Sequence, residues 1–166
     1  MNDSVNNSKS TAPKWFVILA IVMTIWNLMG VMAFIMQMTM TAEQITALPT
    51  KDQMLYQDIP LWVDIAFGCA VFGGALGCIV LVFKKAMALP ILFISLAGVS
   101  VQMFHSFFIA KAFEVYGPGG TIMPIMVIII ALYLIWLAKS AKAKGWLTEG
   151  FTTTQKKSLL FVKAAS

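Results

Sequence analysis

The chain has 166 residues, 60% of them hydrophobic and only 11% charged, less than half the charged share of an ordinary soluble domain. That balance excludes a water-soluble globule and implies a protein built for a bilayer. The formal charge is +5, yet every basic residue is lysine; without arginine the chain lacks the bidentate forks that read phosphates and base edges, which argues against a nucleic-acid partner.

Residues 1–14 form a polar leader, read as flexible and cytoplasmic. The apolar run behind it is too long for a signal-peptide core and lacks a small-residue cleavage site, so it is expected to be retained. Four apolar runs follow one another, at about residues 15–38, 61–83, 87–109 and 121–138, each close to the roughly 20 residues that cross a bilayer as helix. They predict an all-α, membrane-spanning four-helix bundle, closed by a basic tail over residues 139–166.

In the first run the small, polar and aromatic positions Asn27, Gly30, Phe34 and Gln37 fall within an arc of roughly 80° on a helix turning 100° per residue. An amide in hydrocarbon costs several kcal/mol, about 4 to 8 on an alkane scale, so that face must meet protein. Trp26, beside Asn27, sits near mid-depth and fits neither interfacial aromatic belt. The loop that follows carries two capping-box patterns, Thr41 to Gln44 and Thr50 to Gln53, separated by Pro49, which predict two short interfacial helices. Pro60 suits the first turn of the second span.

The second run holds Asp64 near its start, Gly73-x-x-x-Gly77 in its middle, and Cys69 and Cys78 on opposite faces, out of reach of one another for a disulfide. The glycine pair allows close helix approach, either inside the monomer or in a homo-oligomer. The third run repeats the polar stripe as Ser95, Gly98, Gln102 and His105. Sliding the chain by 68 residues aligns the two stripes, which suggests a parallel repeat of helix pairs. Glu114 and Gly117-Pro-Gly-Gly120 form the second outer loop, and Pro124 falls in the first turn of the fourth span.

The lysines orient the bundle. Ten lie on the side of the termini and of the turn at Lys84 and Lys85, and only Lys51 and Lys111 lie opposite, so the positive-inside rule puts both ends in the cytoplasm. Basic and apolar residues in the tail, Lys156 to Lys163, could lie on the inner leaflet or simply fray.

Depth groups Asn27, Gln37, Asp64, Ser95, Gln102, His105 and Glu114 as a polar interior open to the outer side. Asp64 and His105, at matching depth, are the expected pair, giving a proton-linked site; the alternative is Asp64 among the headgroups and His105 as a satisfied core histidine. Met36-x-Met38-x-Met40 offers thioethers for copper only if the helix has already ended there; otherwise methionine is packing filler. With a single histidine, no nucleophile elbow, no CxxC, no HExxH and no phosphate loop, the chain reads as a non-enzyme with no cofactor and no metal. The expected partners are the lipid bilayer, a small polar solute that the protein binds or transports, and a second copy through Gly73 and Gly77. The rival reading is a structural or accessory membrane subunit.

The segments Trp26-Asn-Leu-Met-Gly-Val-Met-Ala-Phe-Ile-Met-Gln37, Phe72-Gly-Gly-Ala-Leu-Gly-Cys78 and Glu114-Val-Tyr-Gly-Pro-Gly119 resemble a family of small bacterial inner-membrane proteins with four spans, members of which often carry the label "sugar transporter". The resemblance covers about residues 13–145. It implies a four-span fold and an inner-membrane location, and no binding residues carry over from it.

Overall fold

A computed structural model describes residues 11–56, 59–109, 114, 117 and 122–148, with only the backbone described at Lys51, Met54 and Leu55. Most of the leader, Asp58, Lys111, Tyr116, Pro118 to Gly120 and the tail after Thr148 lie outside the described residues.

The four apolar runs are four long helices. They are α1 (Lys14–Thr39), α4 (Leu61–Val82), α5 (Ala88–Phe104, continued by a π-helical turn His105–Ile109) and α6 (Ile122–Ala143). Each is long and apolar enough to cross a membrane, and they pack as one all-α bundle. α6 runs one turn beyond the expected end of the fourth span. Two short helices, α2 (Ala42–Thr46) and α3 (Thr50–Tyr56), fill the first loop.

Local chemistry explains where these helices begin and end. Thr41 and Gln44 form a reciprocal capping box, the threonine backbone N–H donating to Gln44 Oε1 at 2.9 Å. The second expected box does not form. Gln53 instead turns back and donates to the Thr46 and Leu48 carbonyls, at 3.0 and 2.7 Å, satisfying acceptors left over at the end of α2. Pro60 stands at the cap just before α4, its carbonyl accepting from Val63.

α4 is the central helix. It packs against α1 on one side and α5 on the other, while α6 leans chiefly on α5. Between Val63 and Leu81, the buried face of α4 is made of small residues, Ala66, Ala70, Gly74, Ala75, Gly77 and Cys78. Gly98 of α5 sits against the α4 backbone: a Cβ there would stand 2.6 Å from the Ala66 carbonyl oxygen and 2.8 Å from the Ala70 nitrogen. Gly73 and Gly77 belong to the same seam, facing Ser95 and Leu92. They therefore pack inside the chain, against α5.

At the end where α1 starts and α6 stops, Phe16, Ala20, Cys78, Leu81, Ala88, Leu92, Leu134, Leu137, Ala138, Ala141 and Leu147 form the continuous apolar core. All six described lysines of the termini and the α4–α5 turn, Lys14, Lys84, Lys85, Lys139, Lys142 and Lys144, lie at this lysine end, and the described acids Glu43, Asp52, Asp64 and Glu114 lie at the other. Two helices finish here in the same Schellman cap. After α6 the Trp146 N–H reaches back to Ala141 and that of Gly145 to Lys142, with Gly145 at φ +69°; after α4 the Lys85 N–H reaches Val80 and that of Lys84 reaches Leu81, with Lys84 at φ 55°. Glycine adopts that backbone freely, whereas lysine there costs about 1–2 kcal/mol. Thr148 locks the two caps together: its N–H and hydroxyl both donate to the Lys84 carbonyl, at 2.7 and 2.9 Å, and its own carbonyl accepts from Ala86.

Candidate functional site

The α1 stripe faces protein, and the helix it meets is α4. Because the two run antiparallel, each step up α1 is matched by a step down α4. Asn27 lies against Gly74 and donates through Nδ2 to Cys78 Sγ at 3.5 Å, as well as to the Met23 carbonyl at 2.8 Å. Gly30 admits Val71, whose Cγ1 would be 3.3 Å from an added Cβ. Phe34 fits over Gly68 and meets the Phe67 and Phe72 rings edge-on, centroids 5.2 and 5.7 Å away. Gln37 donates to Asp64 Oδ1 at 3.2 Å.

The α5 stripe docks on the opposite side of the same helix. Ser95 is buried and donates to the Ala70 carbonyl at 2.6 Å; Gly98 touches Ala66 and Ala70; His105 is buried against the Trp62 ring, centroids 5.4 Å apart and edge-on. The stripes touch the same residue of α4 at Gly74, which both Asn27 and Ser95 Oγ approach. Since the α1 stripe docks on the span that follows it and the α5 stripe on the span that precedes it, the two helix pairs are not copies of one packing unit, and the expected repeat does not describe the fold.

The expected Asp64–His105 pair does not form. The two match in depth but not in direction: on α4, Trp62 faces His105, and two residues later, about 200° around the helix, Asp64 faces α1 and takes Gln37. Met36 and Met38 remain within unbroken helix and are exposed, so the thioether triplet does not converge. Glu114 is exposed in the connection between α5 and α6.

Between the four helices lies a cavity of about 430 Å³. α1 contributes Trp26, Asn27, Met29, Gly30 and Ala33 to its wall, and α5 contributes Ser95, Val99, Gln102 and Met103. Phe67, Ala70 and Val71 of α4 form its back, and α6 closes the remaining side from Met123 to Leu134. Leu92 and Leu134 also belong to the apolar core, which seals the cavity toward the lysine end. α1 and α6 share no extended packing, and the rim residues Met29 and Met123 are 64% and 62% exposed, so the cavity opens between these two helices.

The wall is largely apolar, with a few polar groups. The Asn27 and Ser95 donors are already engaged with the helices. The Gln102 amide and the Trp26 indole N–H make no hydrogen bond to the described residues, and neither is sealed from solvent, because every fully buried side-chain polar atom described has a partner. With the Asn27 Oδ1 and Ser95 Oγ oxygens, which can still accept, they are the wall groups with hydrogen-bonding capacity to spare among the described residues. Gln102 sits just before the π-helical turn, where the His105 N–H reaches the carbonyls of Gln102 and Val101. Such turns recur at functional sites because they re-aim side chains relative to a regular helix.

Of the residues expected to form a polar interior, the fold brings Asn27, Ser95 and Gln102 to one cavity, pairs Gln37 with Asp64 nearer the acid end, and sets His105 behind Trp62. Sequence reasoning missed Met29, Met103 and Met123 as cavity residues; Trp26, at mid-depth beside an amide, was the available signal. Comparison with family models, with curated proteins and with solved structures found no match.

Proposed function

We propose that this multi-pass protein resides in a bacterial inner membrane with both termini in the cytoplasm, and that its bundle binds a small amphipathic molecule in the cavity between α1 and α6. The cavity lined by all four spans carries the reading: its volume falls within the range of small-molecule sites, and apolar walls with a few convergent polar groups are their usual construction. The lysine asymmetry supports the orientation.

The wall also narrows the ligand class. A sugar needs several hydrogen bonds around its ring, whereas the wall spares only the Gln102 amide, the Trp26 N–H and the acceptor oxygens of Asn27 and Ser95 amid apolar side chains, so a mostly apolar molecule with one or two hydrogen-bonding groups fits better than the polyol that the family label suggests. The opening between two spans faces lipid, which gives such a molecule lateral entry. The core that seals the lysine end favours binding over conduction through the bundle. One chain completes the cavity, so binding does not require an oligomer.

An accessory role without any ligand is the rival reading, favoured by Asn27, whose amide is engaged in helix contacts. Small molecules retained by purified wild-type protein and by Ala131→Phe, which fills the wall from α6, separate the two. Ligand binding predicts a co-purifying species by mass spectrometry that the filled variant loses while its thermal melt stays within a few degrees. No species in either protein, with full stability in both, supports the accessory role and sinks the binding role.

A further inference from the structure

The lysine end assembles charges that the cavity does not use. Lys14 opens α1 beside Trp15, and Lys144 lies over the Trp146 ring at 4.7 Å. Trp146 meets Trp15 and Phe16 edge-on, at 5.8 and 5.6 Å between centroids. Thr148 then ties this same segment to Lys84 and Lys85 through a short parallel bridge. Four lysines from three separate stretches of the chain, Lys14, Lys84, Lys85 and Lys144, are thus brought to the end of the bundle that carries one aromatic patch. None has an ion pair among the described residues, and the described acids are all at the far end of the bundle.

Lys84 supplies a second observation. It occupies the left-handed cap position that glycine fills at the end of α6, so a costly residue stands where an unstrained one would serve. Backbone strain retained at one position points to a use for the side chain held there.

We propose that this end is a binding surface for an anionic phospholipid headgroup of the adjoining leaflet, with Lys14, Lys84, Lys85 and Lys144 meeting the phosphate and Trp15 and Trp146 lying at the boundary between headgroup and acyl chain. Ammonium groups suit this task as point charges that attract phosphate without fixed geometry. Indole rings, apolar in body and polar at one edge, favour that depth. Trp15 is 52% exposed, leaving ring surface for an acyl chain that free phosphate would not use. Basic pockets between spans on the cytoplasmic side are a known form of lipid recognition.

Native mass spectrometry of the full-length protein in neutral detergent, titrated with phosphatidylglycerol, phosphatidylcholine or inorganic phosphate, tests the proposal. Phosphatidylglycerol should remain bound where phosphatidylcholine does not, and added salt should release it. The triple variant Lys84→Gln, Lys85→Gln, Lys144→Gln should bind phosphatidylglycerol at least tenfold more weakly, since each lysine near an anionic surface contributes about 1 kcal/mol, or about fivefold. The matching triple arginine variant should keep the affinity. Equal retention of the two lipids, an unchanged glutamine variant, or displacement by inorganic phosphate at comparable concentration would each overturn it. Should the glutamine variant fail to fold, lipid selectivity and salt release in the wild type decide the matter alone.

Discussion

Gly98→Ala probes the contact on which the bundle depends. A methyl group added there would stand 2.6 Å from the Ala66 oxygen, 2.8 Å from the Ala70 nitrogen and 3.2 Å from the Ala70 Cα, all of them backbone atoms. No rotamer change can relieve this, so α4 and α5 must part by roughly 0.5–0.8 Å, and overpacking of that kind costs about 1–3 kcal/mol, toward the upper end when the neighbour is rigid. Alanine returns about 1 kcal/mol of helix propensity, leaving a net loss of about 2 kcal/mol. Separation would also stretch the 2.6 Å Ser95 to Ala70 bond one turn away. Gly68→Ala is the internal control: its Cβ would meet only the end of the Phe34 ring, at 3.4 Å, so the propensity gain should prevail and the change should be neutral or stabilising by up to about 1 kcal/mol. Unfolding in mixed micelles, followed by far-UV circular dichroism, measures both. A Gly98→Ala protein within about 0.5 kcal/mol of wild type, or a Gly68→Ala protein equally damaged, would refute backbone contact between α4 and α5 as the organising feature.

A double-mutant cycle on Gln37 and Asp64 should give a coupling of about 0.5–1.5 kcal/mol, and the same cycle on Asp64 and His105 should give none beyond error; a reversed result would restore the pairing read from depth alone. In neutral detergent, Lys84→Gly should stabilise the protein by up to about 1 kcal/mol by removing the left-handed lysine, and a lower melting temperature would show that the cap is not strained. Reporter fusions at Thr50, Lys85, Val115 and Gly150 should read outside, inside, outside and inside; any other order contradicts the span count or the orientation.

The spans were legible because length and hydropathy are summed over many residues and survive local ambiguity. The stripes were legible too, since an amide cannot rest in hydrocarbon, and Asn27 and Ser95 both found helix neighbours. Their destination was not. Depth follows from counting along a helix, but azimuth depends on how each helix is rotated in the bundle, and two residues at one depth can point in opposed directions, as Trp62 and Asp64 do. Gln53 shows the same gap at short range: its spacing from Thr50 matched a capping box, yet nearby unsatisfied carbonyls of α2 gave it better acceptors. The cap at Lys84 carried no signal at all, because lysine is not a residue that marks a left-handed turn.

The cavity is a consequence of where the small residues are. Glycines and alanines along α4 let α5 approach on one face, with the backbones touching at Gly98, while on another face the Phe34, Phe67 and Phe72 rings fill the contact with the acid-end half of α1. α6 rests chiefly on α5, and it joins the common core only near the lysine end, where Phe16 and Ala20 of α1 meet the same cluster as Leu134, Leu137 and Ala141. With α1 on α4, α6 on α5 and a common core only at the lysine end, α1 and α6 stay apart over the other half of their length. Gln102, on the helix that carries α6, then faces space instead of a partner. A single substitution at the central seam should therefore be felt in the cavity, because the width of the opening depends on how closely α4 and α5 lie as well as on the residues at its rim.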